Sequence, residues 1–158
     1  MQDKRGQTCC FTGHRHIPTL TEIKLSARLK KTLTALIAEG YLYFGVGGAL
    51  GFDTLAAKAV LSLKKTYPDI RLILVLPCET QSKYWKPKDV AVYEDIKRQA
   101  DKVVCLSKYY TPSCMHERNR HLVDASSVCV AYLTEETGGT AYTVAYAQKK
   151  NVRVINLA

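Results

Sequence analysis

The chain has 158 residues, 47% of them apolar and 23% charged, with a formal net charge of +9. That length suits one domain with a full core, and that apolar fraction excludes a disordered chain. No apolar run approaches the roughly 20 residues needed to span a membrane, and the polar start, residues 1–7, lacks the apolar core of a secretory signal. A cytoplasmic protein with no membrane partner is expected.

Residues 1–7 are expected to form a flexible N-terminal segment, and residues 8–158 one domain. Thr8–Phe11 reads as a first strand ending at Thr12-Gly13. A helix follows over Thr21–Glu39, with Leu25, Leu29, Leu33, Leu36 and Ile37 on one stripe. Thr19 and Glu22 form a capping box behind Pro18, and Gly40 ends the helix. Leu42–Val46 is a second strand, and it runs into Gly47-Gly48-Ala49-Leu50-Gly51-Phe52-Asp53. The second helix covers Thr54–Thr66. Ile70–Leu76 is a continuous apolar run, as expected of a strand buried on both faces. Pro77–Pro87 is a loop carrying Tyr84 and Trp85, and a third helix spans Asp89–Ala100. Lys102–Leu106 is a fourth strand and Cys114–Ala125 a polar fourth helix. Ser127–Leu133, Gly139–Lys150 and Val152–Asn156 complete a strand, a helix and a sixth strand.

Alternation of strand and helix throughout predicts an α/β fold: a single Rossmann-like domain with a doubly wound, mainly parallel sheet of about six strands. Right-handed crossovers suggest the order 3-2-1-4-5-6, with helices on both faces. A ligand crevice is then expected beyond the carboxyl ends of strands one and four. The loops meeting there are residues 12–16, 47–53, 107–118 and 134–140.

Several constellations in these loops suit an anionic ligand. Met115-His116-Glu117-Arg118-Asn119-Arg120 and Gly138-Gly139-Thr140 open two helices on either side of the fifth strand. Helix N-termini offer unpaired amides and partial positive charge, and Arg118 can add a bidentate fork. In Thr12-Gly13-His14-Arg15 a glycine permits close backbone approach and Arg15 supplies a second fork. Gly47-Gly48-x-x-Gly51-x-Asp53 departs from both the dinucleotide fingerprint and the P-loop, but a phosphate or ribose cradle fits it. Asp53 either caps the second helix or accepts from a ribose hydroxyl. Tyr84 and Trp85 either stack on a base or pack as a lid on the sheet edge.

Six cysteines are present. Cys9, Cys10, Cys105 and Cys129 fall in or beside buried strands, and no C-x-x-C pair occurs, so reduced structural thiols are expected. No metal site is expected. His116 and His121 lie five apart, a poor spacing for one helical face, and Arg15 beside His14 repels a cation. The positive charge permits nucleic acid as well as a nucleotide.

Four stretches together resemble the SLOG superfamily, which joins the DprA/SMF proteins to the LOG nucleotide hydrolases. They are Cys10-Phe11-Thr12-Gly13-His14-Arg15, Gly47 to Asp53, Met115 to Asn119, and Gly138-Gly139-Thr140. The nearest branch is that of the small bacterial YpsA-like proteins. The resemblance implies a Rossmann-like fold, a homodimer, and binding of a nucleotide-type small molecule such as ADP-ribose, NAD or an adenine nucleotide, in the manner of a sensor. From the loops and this resemblance together, the expected site residues are Thr12, Gly13, His14, Arg15, Gly47, Gly48, Gly51, Asp53, Trp85, Arg118, Asn119, Gly138, Gly139 and Thr140. Two alternatives come with it: LOG-like hydrolysis of a nucleoside 5′-monophosphate, and DprA-like binding of single-stranded DNA. LOG enzymes carry a glutamate where this chain has Thr143, and a threonine cannot stabilise positive charge on a sugar. Glu135 and Glu136 are the nearest substitutes.

Overall fold

A computed structural model describes residues 3–158. Of the stretch set apart at the N-terminus, Met1 and Gln2 lie outside the described residues. Arg5–Gln7 form a short 3-10 turn whose last carbonyl accepts from the Leu42 amide. The remaining elements are β1 (Thr8–Gly13), α1 (Thr19–Ala38), β2 (Tyr43–Val46), α2 (Phe52–Lys64), β3 (Arg71–Leu76), α3 (Pro87–Gln99), β4 (Lys102–Cys105), α4 (Cys114–Asp124), β5 (Val128–Tyr132), α5 (Gly139–Lys149) and β6 (Arg153–Asn156).

All six strands are parallel, in the order β4-β3-β2-β1-β5-β6. The class and the two-sided layering match the sequence expectation, but the place of β4 does not. It pairs outside β3, while β5 takes the position beside β1. Burial explains the exchange. All five residues of β5 are buried, as a central parallel strand requires. β4 begins with Lys102 and leaves three of its four residues exposed, as an edge strand tolerates. Cys105 is therefore exposed, whereas Cys9, Cys10 and Cys129 are buried as expected.

The pleat sends alternate residues of β1 to opposite faces. Cys9 and Phe11 join the core beneath α1, α2 and α3, with Phe44, Leu72, Leu74 and Val130. Cys10 joins the core beneath α4 and α5, with Leu122, Val123, Cys129 and Ala147. The stripe Leu25, Leu29, Leu33 and Leu36 seats α1 as its spacing predicts. The capping box does not form. Pro18 is the N-cap residue, and its carbonyl receives the Glu22 amide. A proline has no side-chain acceptor, and the helix begins at Thr19 itself, so the hydroxyl of Thr19 is one position too late to cap.

Moving β4 to the edge gives α4 a long return path to β5. The helix passes over β2, where two glycines make room. A side chain on Gly45 would meet Leu122 at 3.0 Å, and one on Gly47 would meet the Arg118 guanidinium. Residues four apart on the helix, Leu122 and Arg118, thus lie above Gly45 in β2 and Gly47 just past its end.

Candidate functional site

The strand order reverses between β1 and β5, so the crevice opens beyond the carboxyl ends of those two strands. A cavity of about 260 Å³ lies there. Its walls come from the end of β1, the start of α2, the first turns of α4, and the turn into α5.

The β1 end is fixed from two sides. The Phe52 amide donates to the His14 carbonyl (3.1 Å), tying the loop to the start of α2. His14 Nε2 accepts from the Thr134 amide (2.9 Å), tying it to the loop after β5. That bond requires the neutral ring with its proton on Nδ1. Gly13 is bare because the Phe52 side chain packs where a Cβ would stand.

Arg118 is 4% exposed. It donates to the Gly47 carbonyl, to Gln81 Oε1 (3.5 Å) and, through Nε, to Asn119 Oδ1 (2.7 Å). Among the described residues its remaining terminal nitrogen faces only the thioether of Met115 (3.7 Å). Arg15 brings a terminal nitrogen to the same sulfur (3.9 Å). A thioether is a weak acceptor, so one terminal nitrogen of each guanidinium meets at that sulfur without a strong acceptor. Burial lowers the Arg118 pKa, Asp53 opposes that, and Arg15 adds to it.

Asp53 is 7% exposed and lines the cavity. It is not the N-cap of α2; Gly51 is. One carboxylate oxygen accepts from the Ala49 amide (3.2 Å), which closes the loop before the helix. The other has no partner among the described residues. Burial pushes the carboxyl above its ordinary range, against the pull of Arg118, the Ala49 amide and Arg15.

Gly138 is the N-cap of α5, with φ 103° and no side-chain cap, and the first turn holds no acidic residue. The amides at this end therefore remain unpaired donors. The Thr143 hydroxyl bonds back to the Gly139 carbonyl (2.8 Å), inside the helix.

Ten of the fourteen expected site residues line this one cavity: Thr12, Gly13, His14, Arg15, Asp53, Arg118, Asn119, Gly138, Gly139 and Thr140. Gly47 and Gly48 lie behind it, covered by Arg118 and by Leu76 and Tyr93. Gly51 and Trp85 line a neighbouring groove of about 400 Å³, which shares Arg15 with the inner cavity. Tyr84 is exposed, as are Glu135 and Glu136, and neither glutamate lines the cavity wall. The sequence reading missed Gln81, which is buried, receives Arg118, and brings Nε2 within 3.4 Å of the Gly47 carbonyl and of the Tyr93 hydroxyl. Nothing in its loop marks it out. It also missed Met115 as the point where the arginines meet.

Among the described residues no cluster of metal ligands occurs, and no helix is long and apolar enough to cross a membrane.

The family model described as the YspA SLOG family matches residues 11–156. UPF0398 proteins of Bacillus thuringiensis (strain Al Hakam) and Bacillus pumilus (strain SAFR-032) are 30% and 31% identical to the chain. The matches cover 81% and 83% of this chain and 71% of each relative. In fold the chain is similar to DNA processing protein A from Streptococcus pneumoniae, with a TM-score of 0.69 at 15% identity, over 94% of this chain and 49% of that one. It is also similar to DNA processing protein A from Helicobacter pylori, described for its single-stranded DNA binding mode, with a TM-score of 0.63 at 18% identity. That match covers 96% of this chain and 65% of the other. The chain spans about half of the pneumococcal protein, and at these identities the likeness is one of fold.

Proposed function

The chain belongs to the YspA SLOG family, and we propose that it binds a nucleotide or nucleotide-derived ligand of the ADP-ribose, NAD or adenine nucleotide class, as a sensor. The observation that carries this reading is the convergence of Arg15 and Arg118 on a single thioether beside the uncapped start of α5. Two cations and a row of free amides make a seat for a phosphate. In the same cavity, the second carboxylate oxygen of Asp53 suits a sugar hydroxyl. A phosphorylated sugar meets both demands at once. It works in the cytoplasm and, on the pattern of the family, as a homo-oligomer, an assembly that sedimentation of the purified chain checks.

The reading is one of binding rather than turnover. Glu135 and Glu136 are exposed, and Thr143 is spent within α5. Release of free base from a nucleoside monophosphate would replace it with N-glycosidic hydrolysis. A second reading, binding of single-stranded DNA, has support from the net charge of +9 and from the likeness to the Helicobacter protein.

The test is a thermal-shift titration at fixed salt with AMP, ADP, ADP-ribose, NAD, ribose 5-phosphate and a short single-stranded oligonucleotide. A ligand binding only the folded state at 100 times its dissociation constant adds about 2.7 kcal/mol. A shift with one of the small ligands, lost in Arg15→Ala, supports the reading. Arg15 is the better probe because Arg118 also holds the fold. A shift with the oligonucleotide alone favours the second reading.

A further inference from the structure

We infer that Met115 is a redox-sensitive modification site: oxidation of its thioether to the sulfoxide by a hydroperoxide closes the anion seat between Arg15 and Arg118; this rests on the nucleotide reading above. The seat is open because of what the sulfur cannot do. Arg15 and Arg118 each bring a terminal nitrogen to Sδ, at 3.9 and 3.7 Å. Those contacts are longer than the roughly 2.7–3.2 Å of a hydrogen bond to oxygen. A thioether is a weak acceptor, so both donors stay open to a bound anion. A sulfoxide is polar, and its oxygen, drawn to the two cations, fills the gap that those distances leave. One atom of the wall then takes both donors, and an incoming phosphate has to displace it.

The residue is placed for the reaction. Met115 lies in the first turn of α4, half-buried, on the wall of the cavity of about 260 Å³. A water molecule takes about 30 Å³ of liquid, so hydrogen peroxide has room to enter. The sulfur lone pair attacks one peroxide oxygen and the O–O bond breaks. The proton on the transferred oxygen passes to the departing hydroxide, which leaves as water. Sulfur is oxidised by two electrons and the peroxide is reduced by two. Negative charge builds on the departing oxygen beside two guanidinium groups that stabilise it. The thiols compete poorly, since Cys9, Cys10, Cys78, Cys114 and Cys129 are buried and Cys105 alone is exposed. A methionine sulfoxide reductase restores the thioether, so the change is reversible.

Met1 and Met115 are the chain's two methionines, so the oxidised position is assigned by sequencing one peptide. The full chain carrying Cys105→Ser is treated with hydrogen peroxide, and the peptide holding Met115 is read by mass spectrometry. Binding of ADP-ribose and of ribose 5-phosphate is measured by calorimetry before and after. Expected are uptake of one oxygen at Met115 in the folded protein, at least tenfold weaker binding of ADP-ribose, and recovery after treatment with the reductase. In Met115→Leu, peroxide should leave that variant's own affinity for ADP-ribose where it was. A melt reads the new contact without ligand: oxidation should raise the midpoint, and Arg15→Ala should abolish the rise. Oxidation of Met115 with unchanged affinity, or none until the chain unfolds, overturns the switch and leaves the nucleotide reading standing. A lowered midpoint marks damage to the fold and also overturns it. Binding of neither small ligand by the untreated protein overturns the nucleotide reading, and the switch with it.

Discussion

The guanidinium of Arg118 occupies the space that a side chain on Gly47 would need, and donates to the carbonyl of that same glycine. The residue expected to meet the ligand is therefore also a bracket between α4 and the end of β2. Arg118→Ala leaves the Gly47 carbonyl and Gln81 without their charged partner in a buried place. It should cost about 2–4 kcal/mol in denaturant melts. Arg118→Lys keeps the charge without the planar fork and should recover part of that loss. A neutral Arg118→Ala melt would show that the bracket is dispensable.

Gly51 and Gly138 separate two reasons for a glycine. Both have positive φ, 77° and 103°. A Cβ on Gly138 meets open space, so Gly138→Ala bears only the backbone cost, about 1–2 kcal/mol. A Cβ on Gly51 runs into the backbone of Arg15, which cannot swing aside as a side chain would. Gly51→Ala should cost at least about 3 kcal/mol. Equal losses in urea melts would contradict the close approach.

Asp53 gives a pH signature. Burial raises its folded-state pKa above the unfolded value, despite Arg118. Such a group contributes its full stability only below the unfolded pKa of about 3.9, and the contribution is lost as pH rises through the folded pKa. Asp53→Asn keeps an oxygen for the Ala49 amide and removes that loss. Melts at pH 4, 6 and 8 should show the variant gaining on the parent as pH rises, while affinity for the nucleotide falls. A parent that gains on the variant would sink the assignment.

Asp101 behaves in the opposite sense. Partial burial works against it, but the Lys64 ammonium and the Leu72 amide (2.8 Å) hold its carboxyl below the ordinary range. That contribution is present above the unfolded pKa and is lost as pH falls through the lower folded value. Lys64→Ala should cost about 0.5–1 kcal/mol near neutrality. Acid melts should show the difference between variant and parent closing below about pH 4.

Thiol labelling checks the edge position of β4. Cys105 is exposed, while Cys9, Cys10, Cys78, Cys114 and Cys129 are buried. A thiol reagent should modify one cysteine quickly in the native protein and the other five only on unfolding. Rapid reaction of Cys9, Cys10 or Cys129 would place another strand at the surface.

The sequence was most legible where one local signal decides an element. The leucine stripe of α1, the apolar run of β3 and the glycine opening of α5 all lie where periodicity and turn chemistry put them. Strand order was less legible because β4 and β5 are both short and apolar, and what separates them is Lys102 at the start of one against full burial of the other. The crevice was expected beyond strands one and four and opens beyond β1 and β5 instead, but the loops at that end of the parallel sheet meet there in either order. Gly47 illustrates the harder case. A glycine beneath an arginine and a glycine beneath a phosphate look alike in sequence, because each only records that something comes close. Gln81 is harder still: a lone glutamine in a polar loop gives no sign that it will be buried against Arg118.

His14 and Thr134, joined across the mouth of the cavity, are 120 residues apart in the chain. The neighbours β1, β2, β3 and β4 are added in chain order, each closing a modest loop, but β5 must return from the far edge to pair with β1. Closing so long a loop is entropically costly and slow. The face built on α1, α2 and α3 can condense before that happens. We expect the pairing of β5 with β1 to be a late step of folding, one that finishes the ligand seat as it completes the sheet. A ligand that grips Arg15 and the α5 terminus together would slow unfolding at that seam first, and hydrogen exchange at the β1–β5 ladder is where its presence would register.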